Sequence, residues 1–175
     1  GLEYSPERAS EFHAKFSKLA EHTDNDKVKV EQAGAPVHTF TDASFGVTYR
    51  EMRSISGVVI YMHGTPVAWK SKVQTVFASS TTESEWIAMA DGIAIGEGVQ
   101  VLKEFLVGSE KPIEKGPLWC DNRSAVICGR KGPANTDEIP KRTRHVALRF
   151  AKVLTEHERL WFCPTTDQRA DGLTK

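Results

Sequence analysis

An α/β fold, a mixed sheet with helices packed on its faces, is what this sequence predicts, and three observations carry the prediction. Val37-His38-Thr39-Phe40-Thr41 is an uncharged run with the Val, Thr and Phe content of a strand buried on both faces. Two further strand-like runs follow it closely, and then a long helical pattern from about Thr82 to Leu106. Beyond that pattern, short apolar runs alternate with helical stretches. Hairpins followed by helix crossovers put antiparallel and parallel strands into one sheet.

The elements follow in order. Ser5-Pro6 opens a helix, with Ser as N-cap and Pro at the first helical position, and Ala9, Phe12, Phe16 and Leu19 then share one face. That face has to pack on something, either this domain or an upstream neighbour. His22 to Pro36 is polar, carries Gly34 and Pro36, and reads as a linker. The expected division is therefore 1–36 as a helix and linker and 37–175 as the domain proper. The chain opens on Gly rather than Met, as expected of a piece of a longer polypeptide. The first strand runs into Asp42, and a polar loop follows to Ser56. Gly57 to Met62 and Val67-Ala68-Trp69 form a hairpin around His63-Gly64-Thr65-Pro66. Ser79-Ser80-Thr81-Thr82 supplies N-caps for the long helix. Leu118-Trp119-Cys120 is a short strand, again ending on an acid, Asp121. Asn122 to Cys128 can form a short helix, and Thr136 or Asp137 can cap another through about Thr155. Leu160 to Cys163 is a last strand, ended by Pro164. Thr165, with Gln168 three residues on, reads as the capping box of a terminal helix containing Asp171.

Composition bounds the function. At 175 residues, with 39% hydrophobic and 26% charged residues, the chain has the make-up of one soluble globular domain with a real core. No apolar run approaches the roughly 18 residues of a membrane span, and no membrane partner is expected. Lys and Arg number 23 and Asp and Glu 23, so no global basic field advertises nucleic acid. Locally, Lys141-Arg142-Thr143-Arg144-His145 with Arg149 and Lys152, and Lys70-Ser71-Lys72, form basic clusters, either solvated faces or phosphate-contacting ones. Cys120, Cys128 and Cys163 are odd in number and lack zinc-ligand spacing, which reads as reduced thiols of an intracellular protein.

The carboxylates point to chemistry. Asp42 and Asp121 end separate strands, where the loops of an open α/β sheet gather into sites. The long helix adds Glu83 and Glu85, about 160° apart around its axis. The apolar stripe runs through Ala88, Ile95, Val99, Leu102 and Leu106. Glu85 borders it beside Met89 and the small residues Gly92 and Gly96, whereas Glu83 points largely away, so Glu85 is the acid expected to face Asp42. Asp171 makes a fourth. Clustered carboxylates repel unless they share protons or bind metal, and hard oxygen donors suit Mg²⁺ or Mn²⁺. A protonated pair working as general acid and base is the competing chemistry, but it needs two acids and the pattern offers four.

Several motifs then follow one another in fixed order: Thr41-Asp42-Ala43-Ser44, Ser56-Gly57-Val58, Trp69-Lys70-Ser71-Lys72, Ser79 to Glu85, Cys120-Asp121-Asn122-Arg123-Ser124-Ala125, Arg142-Thr143-Arg144-His145 and Asp167-Gln168-Arg169-Ala170-Asp171. From about Thr39 to Lys175 this resembles the ribonuclease H domain of copia-type long-terminal-repeat retrotransposon polyproteins. Gly1 to Pro6 looks like the stretch that joins reverse transcriptase to that domain. The resemblance implies the ribonuclease H-like fold, a five-stranded mixed sheet with its first strand central and helices on both faces. It implies cleavage of the RNA strand of RNA–DNA hybrids by two divalent ions, Mg²⁺ with Mn²⁺ as substitute. It assigns Asp42, Glu85, Asp121 and Asp171 as catalytic metal ligands, and puts Ser44, Ser80, Thr81, Thr82, Asn122, Arg123, Arg144 and His145 near the hybrid. Helix capping is an equal reading for the three hydroxyl residues at 80–82, and a structural role is an equal one for His145. Cellular members of the fold carry a His just before the terminal helix, and Pro164-Thr165-Thr166-Asp167 has none, which sets a His-assisted product release aside. The implied partners are the hybrid and the reverse transcriptase of the same polyprotein, and the implied location is the cytoplasm, within virus-like particles. A catalytically inactive tether module and a DNA-directed nuclease of the same fold are the alternatives.

Overall fold

The computed structural model describes residues 5–22, 35–47, 52–108, 115–131 and 144–175, without the side chains of 21–22 and 144–147. Helix α1 (Pro6–His22) precedes strands β1 (Val37–Ser44), β2 (Ile55–Met62) and β3 (Thr65–Val73). Helix α2 (Thr81–Val107), strand β4 (Leu118–Cys120), helices α3 (Arg123–Gly129) and α4 (Arg144–Thr155) and strand β5 (Leu160–Phe162) follow. The sheet order is β3-β2-β1-β4-β5, with the first strand central as expected. The two hairpin contacts, β1–β2 and β2–β3, are antiparallel, and β1–β4 and β4–β5 are parallel. The two-residue turn between β2 and β3 has positive φ at His63 and Gly64, the backbone twist that a tight hairpin needs. Pro66 sits in edge strand β3 beside a register shift, where its missing N–H is tolerated.

Alternation along the strands divides the core into two layers. Trp69, Val59, Phe40, Trp119 and Trp161 form one row across all five strands. Their face is covered by α1, whose Phe12 and Phe16 join Phe40, Val59, Trp119 and Trp161 in one cluster. Phe16 is fully buried, with its ring centroid 5.1 Å from those of both Phe40 and Trp119. The open question of what α1 packs on is thus answered by this sheet. On the opposite face, Met89, Ala90 and Ile93 of α2 pack with Leu118, Leu160, Ala125 and Val126 of α3, and Val153 of α4. Here α2 comes very close to β1: a Cβ added at Gly92 would lie 2.4 Å from Thr41 Cγ2, and one at Gly96 would lie 2.8 Å from Thr39 Oγ1.

Two expectations need correction. The stripe on α2 is buried only in its first part: Ala88 is fully buried, but Leu102 is 56% and Leu106 69% exposed. The reason is length, since a helix of 27 residues spans about 40 Å and a strand of 8 residues about 27 Å, so the last turns overrun the sheet. The terminal helix around Asp171 does not form either. Instead the chain makes 3-10 turns at Thr165–Asp167 and Asp171–Leu173, because Gln168 spends its amide on Thr41 O (2.9 Å) and on the Ala170 N–H (3.2 Å) rather than on a helix cap. The expected cap at Thr136 or Asp137 lies outside the described residues, and α4 is described from Arg144.

Candidate active site

Four acids come together at the end of the sheet where β1 and β4 finish, delivered from different elements. Asp42 lies in β1 opposite Gly57 of β2, two residues before the strand ends, on the same face as Phe40 by alternation. Glu85 comes from the first turns of α2 on the other face and is 4% exposed. Asp121 follows β4 directly, and Asp171 sits on the last 3-10 turn. One oxygen each from Glu85 and Asp121 and the Cys120 sulfur lie within 4.8 Å of one another. Asp42 stands outside that tight group but within electrostatic reach of it, and Asp171 is in turn within electrostatic reach of Asp42. An open cleft of about 530 Å³ is lined by Asp42, Glu85 and Asp121 together with Ser44, Thr81 and Arg123.

Burial and mutual repulsion dominate the electrostatics. Burial, then the Asp42 and Asp121 charges, push the Glu85 carboxyl up to about 9, against smaller help from the Cys120 thiol and the Ala43 N–H. Burial also raises Asp42, with Asp121 and Asp171 adding to the effect, while the Thr174 hydroxyl opposes it. Cys120 is fully buried, its thiol is pushed well above the ordinary range by burial, and its sulfur lies 3.6 Å from Glu85 Oε2. It is therefore a neutral thiol that donates to an oxygen of the Glu85 carboxyl group rather than a thiolate ligand. What remains is a set of hard oxygen donors, of which Asp171 is paired with Lys175 while burial and repulsion raise Asp42 and Glu85, and a divalent cation fits such a set.

The other predicted residues divide by what the structure does with them. Ser80 is the N-cap of α2, its hydroxyl accepting from the Glu83 N–H at 3.1 Å, and Thr81 faces the cleft while Thr82 is half-buried beside it. Glu83 does avoid the site, though not by facing solvent: it is 9% exposed, and its carboxylate accepts from the Ser79 N–H at 2.6 Å, a capping arrangement at the helix start. Asn122 caps α3, accepting from the Ala125 N–H at 3.0 Å, and both it and Arg123 line the cleft. Arg144 and His145 open α4, with side chains outside the described set, and Lys141 to Thr143 lie outside the described residues altogether. Part of the basic character is spent within the fold, since Lys152 pairs with Glu97 at 3.0 Å and Lys70 with Asp91 at 2.9 Å. Sequence reasoning missed Thr165, whose hydroxyl donates to Asp121 Oδ2 at 2.9 Å, and Thr174, whose hydroxyl donates to Asp42. The thiol of Cys120 was missed as well. No periodicity signals a hydrogen bond between residues so far apart in the chain.

Over 78% of its length the chain is homologous to copia-type retrotransposon Pol polyproteins. It is 28% identical over 140 residues to the Retrovirus-related Pol polyprotein from transposon TNT 1-94 of Nicotiana tabacum. It is 25% identical over 145 residues to the corresponding polyprotein from transposon RE1 of Arabidopsis thaliana. The matches cover 10% and 9% of those polyproteins, so the chain spans about a tenth of the length of these relatives. No protein-family model matches it. Among solved structures, the N-terminal RNase H domain of a Mycobacterium tuberculosis protein, solved as a fusion with maltose binding protein, superposes with a TM-score of 0.50 at 12% identity. That likeness covers 79% of this chain and 89% of the other, and the fold is accordingly RNase H-like.

Proposed function

We propose that this chain is the ribonuclease H segment of a retrotransposon polyprotein, an endonuclease that hydrolyses the RNA strand of RNA–DNA hybrids during reverse transcription. The observation that carries this reading is the convergence of Asp42, Glu85 and Asp121 on one open strand-end cleft, with Asp171 close enough to act on the charge of Asp42. Two divalent ions, Mg²⁺ or Mn²⁺, would supply the Lewis acid that lowers the pKa of an attacking water and stabilises the leaving oxygen. The chain's part is to hold those charges. Asp42 and Asp121 flank the cleft from adjacent parallel strands, Glu85 reaches it from α2, and Asp171 approaches Asp42 from the last 3-10 turn. Without a cation, burial and the neighbouring acids keep Glu85 protonated at neutral pH; its carboxylate would be one of the groups that hold a divalent ion.

Around the acids, Ser44, Thr81 and Arg123 offer hydroxyls and a guanidinium to ribose 2′-OH and phosphate groups. Ser80 and Asn122 use an oxygen as a helix cap, which leaves the hydroxyl proton of one and the NH₂ of the other as donors to the backbone of the hybrid. Thr82, Arg144 and His145 are proposed as further contacts to the hybrid, the last two from the first residues of α4. Recognition of this kind reads helix shape rather than sequence. The reverse transcriptase of the same polyprotein is the proposed neighbour, and the cytoplasmic particle in which reverse transcription occurs is the proposed location. Among the described residues no helix is long and apolar enough to cross a membrane.

The test is cleavage of a labelled RNA–DNA hybrid with Mg²⁺ and with Mn²⁺, run beside duplex DNA and duplex RNA. Cleavage confined to the RNA strand of the hybrid is expected. Preference for duplex DNA, or no cleavage by a folded chain, would overturn the assignment. Asp42→Asn is isosteric and should abolish the activity without changing the fold, whereas wild-type turnover by the folded variant would remove Asp42 from the mechanism.

A further inference from the structure

Thr174 is joined to two of the four acids. Its side chain is 2% exposed, its hydroxyl donates to Asp42 Oδ2, and the same oxygen lies 3.0 Å from the Asp171 carbonyl. A hydroxyl has one proton, and the charged carboxylate is the stronger acceptor, so Asp42 takes it. Packing holds the side chain in that pose. Its methyl lies over Gly57, the residue paired with Asp42 in β2: a Cβ there would fall 2.8 Å from Thr174 Cγ2 and 2.9 Å from the Ala170 carbonyl. The segment that carries Thr174 is pinned on three sides. Gln168 bonds Thr41 O at 2.9 Å, Ser71 donates to Leu173 O at 2.6 Å, and Lys15 of α1 pairs with Asp167.

We infer that Thr174 is a positioning residue for metal binding. Its hydroxyl holds one oxygen of Asp42 so that the other is turned to the cleft, and it ties the orientation of Asp42 to the turn that carries Asp171. This rests on the metal-nuclease reading and adds to it a residue outside the acid set. Partners that orient metal ligands in this way change metal affinity or activity by about 10–100-fold when removed.

The experiment is calorimetric titration of the full chain with Mn²⁺ alone, with thermal unfolding to verify folding. Thr174→Val removes the hydroxyl and keeps the methyl over Gly57, and should weaken Mn²⁺ binding about 10–100-fold. Thr174→Ser keeps the hydroxyl and should stay near wild type. Thr174→Ala, compared with Thr174→Ser, deletes the hydroxyl a second time without branching at Cβ, which secures the result if Thr174→Val folds poorly. Hybrid cleavage by the hydroxyl-deleted variants should recover substantially at saturating Mn²⁺, since the acids themselves are intact. Unchanged Mn²⁺ affinity in Thr174→Val, or equal losses in Thr174→Val and Thr174→Ser, would overturn the inference. If Asp42→Asn abolishes Mn²⁺ binding while Thr174→Val does not alter it, only the role of Thr174 is lost. If Asp42→Asn leaves Mn²⁺ binding intact, the metal reading fails and takes this inference with it.

Discussion

Replacing Glu85 by Gln should make the cation-free protein more stable, and the effect should depend on pH with a definite sign. The folded chain holds a proton on this carboxyl up to about pH 9, whereas its ordinary value is 4.5. Between those limits the native state binds more protons than the unfolded one, so stability falls as pH rises through the window. At pH 7 two and a half pH units of it have been crossed at about 1.4 kcal/mol each, which puts the cost of Glu85 on the order of 3 kcal/mol relative to acid pH. Burial of Asp42 acts in the same direction. Glu85→Gln keeps the shape and cannot ionise, so it should match the wild type near pH 4.5 and gain on it steadily towards pH 9. For a chain of this size the gain at pH 7 corresponds to roughly 6–12 °C in Tm. The assay is thermal unfolding followed by circular dichroism from pH 4.5 to 9 in the presence of a chelator. Adding Mg²⁺ should stabilise the wild type, release protons near neutral pH, and do much less for the variant. Parallel pH profiles for the two proteins, or a less stable variant, would refute the account of Glu85 as a buried carboxyl kept protonated by its neighbours.

Other expectations follow from the same geometry. Glu83→Gln, two residues away, removes a charge at a helix start and should cost about 0.3–1 kcal/mol of stability while leaving hybrid cleavage near wild type; equal losses at 83 and 85 would contradict the placement of the two acids. Phe16→Ala empties a fully buried site between α1 and the sheet and should cost about 3–5 kcal/mol in denaturant unfolding; a cost under about 1 kcal/mol would mean that α1 is not part of this core. Neutralising Arg142 and Arg144 together should weaken hybrid binding and flatten its dependence on salt, read from Kd between low and moderate ionic strength, and an unchanged slope would return that cluster to a solvated role.

The parts of the fold that were legible in the sequence are those where local pattern and tertiary environment agree. The uncharged run at Val37–Thr41 is buried on both faces, as its composition required, and the small residues Gly92 and Gly96 mark the side of α2 that meets β1. Glu85 was separable from Glu83 by helical phase alone. The failures came where a tertiary contact outbid a local signal. Thr165 and Gln168 have the spacing of a capping box, but Thr165 bonds Asp121 and Gln168 bonds Thr41, so the helix that they advertise is never built. Whether α1 folds back could not be read from the polar stretch before Pro36, whose composition carries no such information; the aromatic face of α1 carries it. Thr174 was invisible for a related reason: its partner Asp42 is 132 positions away.

The cluster beneath α1 also bears on how the chain becomes folded. It runs from Phe12 near one end of the sequence to Ala170 near the other, with Phe40, Trp119 and Trp161 between them. Such a core has high contact order, since Phe12 and Phe16 can pack early on Phe40 of β1 but the layer is complete only when residues far along the chain join it. During synthesis α1 precedes every strand of the sheet, and β5, which brings Trp161, is the last of the five to be made. The hairpin of β1, β2 and β3 can form early against α2, but the aromatic layer closes only when β5 has left the ribosome. Folding on the translating chain should accordingly end in one late, cooperative step, and until then part of the aromatic layer between α1 and the sheet stays open to aggregation or to a chaperone.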